Sequence, residues 1–127
     1  MLALKVDRQA SRVAAFTVLS WLGMMIHNAV ELPQLTLLHP EVGLPTLVYV
    51  VLFAAWWLLP YRRAASILLV IWALLHLLGG GILTVIPFPF LPFYPEQSLR
   101  HYFAHVVYSV AQLPLLWALV PQLRRPG

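Results

Sequence analysis

The 127-residue sequence contains no cysteine and very little charge. Without cysteine there are no disulfides, thiolate metal ligands or iron–sulfur clusters, so any metal must be bound through nitrogen and oxygen. Only 9% of the residues are charged and 61% are hydrophobic, which leaves too few charges to cover a soluble domain of this length. The composition therefore predicts an integral membrane protein with no room for a separate soluble domain.

Four apolar segments are long enough to cross a bilayer as helices. They cover about residues 13–38, 44–60, 64–86 and 99–120, and a helix needs roughly 17–25 residues to cross a ~30 Å hydrocarbon core. Because the connections are short, successive segments should run in opposite directions. The predicted fold class is an all-α integral membrane protein, an antiparallel four-helix transmembrane bundle that forms one membrane domain.

The basic residues are sorted by loop, which predicts the orientation. Seven of the eight lie on one side of the four segments, and only Arg100 lies on the other. The seven are Lys5, Arg8, Arg12, Arg62, Arg63, Arg124 and Arg125. The positive-inside rule places both termini in the cytoplasm, with the chain in the plasma (inner) membrane. The net charge of +4 is thus explained by topology and does not indicate a nucleic-acid partner.

Five ionisable side chains interrupt the apolar segments. His27 and Glu31 lie in the first, His76 in the third, and His101 and His105 in the fourth. An ionisable group in hydrocarbon costs several kcal/mol unless it is paired, hydrated or bound to an ion, so such residues are functional candidates. Their number is more informative than any one of them.

The five side chains are also expected at similar depth. At about 1.5 Å per residue, His27 lies roughly 21 Å and His76 roughly 18 Å from the inner edge of the core. His105 lies about 9 Å below the outer edge by the same rise. In a ~30 Å core these three rings share one band, with Glu31 and His101 one turn above it. The sequence predicts a polar site in the outer leaflet.

Helical spacing predicts which residues surround this site. His101, His105, Tyr108 and Gln112 form one stripe, and His76 shares a face with Gly80. Polar stripes turn away from lipid, so Tyr108 and Gln112 are predicted to face the site. The run Gly79-Gly80-Gly81 either packs closely against a neighbouring helix or leaves room for a flat cofactor.

The residue types favour a divalent metal ion such as zinc, iron or copper. His101 and His105 are spaced to bind one ion from a single helix face, and His27 and Glu31 form a second, mixed pair at the same spacing. The predicted ligands are His27, Glu31, His76, His101 and His105. Glu31 is also the candidate catalytic residue, orienting a metal-bound water or acting as general base on a lipid-soluble substrate. Whether the protein is an enzyme or handles the metal stays open.

Two other function classes remain. In the first, His76 and His105 are axial ligands of a b-type haem that exchanges electrons with a quinone. In the second, the histidines titrate in a small proton-coupled transporter, as a homo-oligomer or as a subunit of a membrane complex. A structural interpretation also exists for Glu31, which could simply form an ion pair with Arg100.

Aromatic residues are expected at the membrane surfaces. Trp56, Trp57, Tyr61 and Trp117 are placed to anchor the inner interface. The outer loop over residues 87–96 alternates proline with aromatic residues, so it cannot form a regular helix. It is predicted to lie at the membrane surface, as an anchor or as a lid over the site.

Overall fold

The computed structural model describes residues 8–126. These residues form helices connected by loops and contain no strand. Lys5 lies outside the described residues. The helices are α1 (Arg8–Glu31), α2 (Pro40–Leu58), α3 (Arg62–Leu74), α4 (Leu99–Val110) and α5 (Leu113–Leu123). A nine-residue π-helix, Leu75–Leu83, continues α3 directly and is called the π segment. Four candidate spans are long and apolar enough to cross a membrane: Arg8–Glu31, Pro40–Leu58, Arg62–Leu83 and Leu99–Leu123.

Prolines set several helix boundaries. The first helix ends at Glu31, earlier than the predicted end at Leu38, because Pro33 removes a backbone donor and crowds the preceding turn. Inside the fourth span, α4 ends at Val110 since the ring of Pro114 would collide with that carbonyl. Helix α5 then restarts with Pro114 in its first turn, where no donor is needed.

The first helix already includes Arg8, which precedes the boundary that hydropathy predicted at Val13. Arginine, glutamine and alanine are all good helix formers, so the helix continues through residues that are too polar for the hydrocarbon core. Hydropathy marks the part of a helix that lipid can cover, and the helix itself extends beyond it.

The four spans surround two layers of buried side chains. Each span packs on its neighbours in sequence, and the first span also packs on the fourth. The larger layer lies towards the start of α1 and the end of α5 and consists of Ala10, Val13, Trp56, Ala65, Leu69, Ala73, Leu115 and Leu119. The smaller layer consists of Met24, Tyr49 and Tyr108 and lies beneath the polar site.

Trp56 belongs to this core and is not an interfacial anchor. Its side chain is only 1% exposed, and its indole N–H donates a hydrogen bond to Ser66 Oγ at 3.0 Å. The guanidinium of Arg62 covers the ring from outside. By contrast Trp117 and Tyr61 are 64% and 69% exposed, which agrees with the predicted belt.

Candidate functional site

Two imidazoles from different spans face one another at the centre of the site. Nε2 of His27 in α1 lies 3.1 Å from Nε2 of His105 in α4. The opposite nitrogen of each ring contacts a carbonyl oxygen, Asn28 Oδ1 for His27 and the Gly81 backbone for His105, each at 3.1 Å. In the tautomer with its hydrogen on Nδ1, each neutral ring donates to its carbonyl partner and presents its Nε2 lone pair to the other ring. A cation placed between the two nitrogens would satisfy both lone pairs.

His101 and Glu31 lie beside this pair. Ser98 caps the N-terminus of α4 by accepting from His101 N at 3.2 Å, which fixes His101 in the first turn. Its Nδ1 lies 2.9 Å from Glu31 Oε2, and its ring centroid lies 4.4 Å from that of His105. Both His101 Nε2 and Glu31 Oε1 are buried and have no hydrogen-bond partner. His101 Nε2 therefore remains as a buried ligand atom without a hydrogen-bond partner, while Glu31 Oε1 is approached only by Arg100 Nε, at 3.9 Å.

The carboxylate of Glu96 completes a second group of ligand atoms. One ligand atom from each of Glu31, Glu96 and His101 lies within 4.8 Å of the others. Glu96 belongs to the outer loop and forms an ion pair with Arg100 at 3.3 Å. Arg100 also reaches Glu31, with its Nε 3.9 Å from Oε1. The structure therefore contains both arrangements that the sequence left open for Glu31: a group of ligand atoms and an ion pair with Arg100.

His76 lies apart from the other three histidines of the site, His27, His101 and His105. Its Nδ1 is hydrogen-bonded to the Tyr108 hydroxyl, and its ring contacts Trp72 and Tyr49. Within residues 8–126, no ring contact joins His76 to another histidine. Tyr108 also stacks on His27, with centroids 5.2 Å apart. His76 thus supports Tyr108, and Tyr108 supports a member of the facing pair.

Of the two alternatives for the glycine run, Gly80 and Gly81 show close packing against a neighbouring helix. A Cβ at Gly80 would overlap the ring of Tyr108, and one at Gly81 would overlap the Ser109 side chain. A Cβ at Gly79 would meet nothing within 4 Å. Gly80 and Gly81 therefore let α4 approach the π segment closely, which also brings the Gly81 carbonyl to His105.

Gln112 is buried below the site and does not reach it. Its side chain is fully buried, and its Nε2 donates to the Ser20 carbonyl at 3.1 Å and the Tyr108 carbonyl at 3.0 Å. Its Oε1 accepts from the Ser20 hydroxyl, which also contacts the Tyr49 hydroxyl at 2.8 Å. This network links three spans beneath the histidines.

A cavity of about 790 Å³ gives access to the ligand atoms. All four site histidines line it, together with Glu31, Gly80 and Tyr108. Phe93, Tyr94 and Pro95 of the proline-rich outer loop form part of its wall. The loop therefore borders the site, with Tyr94 78% exposed, and both predicted roles for it, anchor and lid, stay predictions.

Sequence reasoning gave no role to several residues of the site. Asn28 and the Gly81 carbonyl hold the rings of the facing pair, and Glu96 adds a carboxylate from the loop. Of these, only Glu96 could have been found from the sequence, because it precedes Arg100 by four residues near the N-terminus of a predicted helix, a spacing typical of ion pairs. The role of a backbone carbonyl, such as that of Gly81, cannot be found from the residue type.

Comparison of the chain with models of protein families, with curated proteins and with solved structures gives no match in any of the three. The fold and the site therefore define the class directly. The protein is all-helical, with four apolar spans that are compatible with a membrane and a group of histidine and glutamate side chains at one end.

Proposed function

We propose that the protein is a plasma-membrane (inner-membrane) protein whose four spans cross in alternating directions, with both termini cytoplasmic. Large apolar side chains cover the exterior, while three histidines and two other polar residues are buried: His76, His101, His105, Ser20 and Gln112. Contacts between the first and fourth spans run in opposite sequence order: Ser20 with Gln112, His27 with His105, and Glu31 with His101. This inside-out distribution supports lipid as the solvent, since polar side chains in a membrane turn towards one another.

Contacts among the basic residues support the orientation. Arg63, in the first turn of α3, donates to the Leu123 carbonyl at the end of α5 at 3.1 Å. Arg12 of α1 lies over the Trp117 ring of α5, 5.5 Å from its centroid. These two contacts bring basic residues from two parts of the chain against α5, at the end where the positive-inside rule expects the cytoplasm.

In this protein the facing pair of His27 and His105 binds a divalent transition-metal ion, with zinc, iron and copper as the candidates. The facing Nε2 atoms, 3.1 Å apart, carry this proposal. Two imidazole ligands at zinc–nitrogen distances of ~2.0–2.1 Å in tetrahedral geometry have nitrogens about 3.4 Å apart, so a small outward movement admits the ion. Metal-binding histidines usually donate their other N–H to a carbonyl or carboxylate, and both rings have such a carbonyl partner.

His101 and Glu31 are the remaining ligand candidates. Glu31 either binds the ion or acts as base towards a metal-bound water, and a bound metal would supply a Lewis acid in the cavity. At about 790 Å³ the cavity has the size of small-molecule sites, so it leaves room for a lipid-soluble substrate such as a quinone beside the ion. His76 serves this site indirectly, through Tyr108.

The facing nitrogens also favour one alternative. A proton shared between His27 and His105 would satisfy both Nε2 atoms without a metal, as in a proton-coupled transporter or a subunit of a membrane complex. The haem alternative has less support, because Tyr108 fills the room beside Gly80 that a haem ring was expected to use.

Metal analysis of the purified protein in detergent separates these proposals. After equilibration with Co²⁺ and removal of excess ion, the wild-type chain should retain one cobalt with visible absorption bands. His27→Ala and His105→Ala should each lower the affinity at least tenfold, since each removes one ligand. His39→Ala is the matched control, because His39 caps α2 in an exposed loop. A wild-type protein without cobalt, or one whose affinity survives both ligand substitutions, would refute the metal proposal and favour the shared proton.

A further inference from the structure

The carboxylates of this chain are concentrated at the candidate site. Glu31, Glu41 and Glu96 all line the cavity, and they are three of the four acidic residues in the sequence. They come from three different parts of the chain, so helix periodicity does not explain their convergence. Clefts lined by one sign of charge attract counter-ions and accelerate their association. The charge of this cavity selects a cation.

Two of these carboxylates already hold a cation between them. The guanidinium of Arg100 contacts Glu96 Oε2 at 3.3 Å and approaches Glu31 Oε1 to 3.9 Å. Arg100 is the one basic residue of the eight outside the cytoplasmic group. Its side chain is 64% exposed, and exposed ion pairs contribute little to stability. The arginine can therefore leave the exposed Glu96 at small cost, and the buried Glu31 keeps its contact with His101 Nδ1 at 2.9 Å.

Exposure falls steadily from the outer loop towards the histidines. The Glu96 side chain is 52% exposed, whereas that of Glu31 is 9% exposed. Beside Glu31, His101 is 9% exposed and its Nε2 has no hydrogen-bond partner. These three groups present ligand atoms within 4.8 Å of one another. The buried Nε2 atom of His101, which has no hydrogen-bond partner, distinguishes this group from an ordinary cluster of surface carboxylates.

We propose that Glu31, Glu96 and His101 form an outer capture position for a divalent cation, which displaces Arg100 there before binding between His27 and His105. The inference rests on the proposed function, because the facing pair is the destination. Oxygen ligands suit a cation that still carries water, and imidazoles suit the transition metal after dehydration. The transfer is short, since the His101 and His105 ring centroids are 4.4 Å apart.

Stopped-flow mixing with Co²⁺ tests the capture position, with the visible bands of the histidine-bound ion as the signal. Glu96→Gln should lower the association rate at least tenfold, the lower end of effects attributed to charge focusing in clefts. Its equilibrium affinity should stay within threefold of wild type, because Glu96 does not contact the facing pair. Glu41→Gln is the matched control: it removes the same charge from the same cavity but lies outside the three-residue group. Its rate should stay within threefold of wild type.

Arg100→Gln tests the displacement step in the same assay. Without the competing guanidinium, cobalt should associate several-fold faster. An unchanged or slower rate would overturn the displacement. If Glu96→Gln and Glu41→Gln slowed association equally, the general negative field of the cavity would explain the rate, and the capture position would be overturned. An unchanged association rate in Glu96→Gln would overturn it as well. A wild-type protein that gives no cobalt bands at all would instead overturn the proposed function itself. To show that each variant is folded, its melting temperature must lie within about 2 °C of the wild-type value.

Discussion

Adding one methyl group to the π segment provides a sharp test of the structure around the site. In Gly80→Ala the new Cβ overlaps the Tyr108 ring, so the ring must move. In Gly79→Ala the Cβ enters open space, with no atom within 4 Å. The two changes are chemically identical and adjacent in sequence. Their difference therefore reports packing against Tyr108 and little else.

The magnitude follows from two opposing terms. Alanine is favoured over glycine in a helix by roughly 1 kcal/mol, and this gain applies to both variants. Forcing an extra methyl group into a packed interface costs about 1–3 kcal/mol, and this cost applies only at Gly80. Gly79→Ala should therefore be neutral or slightly stabilising. Gly80→Ala should be less stable than Gly79→Ala by about 1–3 kcal/mol.

Thermal unfolding in detergent, followed by tryptophan fluorescence, measures the difference. For a chain of this length a change of 1 kcal/mol moves the melting temperature by roughly 3–6 °C, so the two variants should differ by about 3 °C or more. Since Tyr108 stacks on His27, Gly80→Ala should also weaken cobalt binding while Gly79→Ala leaves it unchanged. Equal melting temperatures and equal cobalt affinities would refute the placement of Tyr108 against Gly80.

Two further substitutions test the buried polar contacts. Tyr108→Phe keeps the ring that stacks on His27 but removes the hydroxyl that is hydrogen-bonded to His76. The melting temperature should therefore fall, while cobalt affinity should fall less than tenfold. A loss of cobalt affinity as large as that of His27→Ala would contradict the indirect role of His76. Gln112→Leu keeps the side-chain volume but removes both bonds to Ser20. At roughly 0.6 kcal/mol for each interhelical bond in a membrane it should cost about 1 kcal/mol, measured by thermal unfolding, with cobalt affinity unchanged. A cobalt affinity that fell with Gln112→Leu would place Gln112 in the site after all.

Much of the architecture could be read from local features of the chain. The apolar segments predicted four spans, and the described residues contain four helices of sufficient length and hydropathy. Proline explains the end of the first helix at Glu31, because Pro33 follows two residues later, although the apolar segment continues to Leu38. Hydropathy was less informative about helix ends near charged residues. It also did not predict the burial of Trp56, because it contains no information about which neighbour covers a side chain.

The candidate site could be predicted only in part. The polar stripes of the first and fourth spans placed His27, Glu31, His101 and His105 in one region, and these residues meet there. His76 has the right depth and the right general face, yet its ring bonds Tyr108. Depth follows from counting residues along a helix. The orientation of the His76 ring depends on how closely Tyr108 packs against Gly80, and counting residues gives no information about that packing.

The amino-acid order by itself determined the helical class, the number of apolar spans and the layer in which the ionisable groups lie. These properties depend on hydrocarbon thickness and on backbone hydrogen bonds that each helix satisfies internally. Tertiary structure alone decided that His27 faces His105 and that Asn28 and Gly81 orient those two rings. It also decided that the outer loop places Glu96 near Glu31. The rotation of each helix about its axis is set by contacts with its neighbours, because lipid favours no particular apolar face over another.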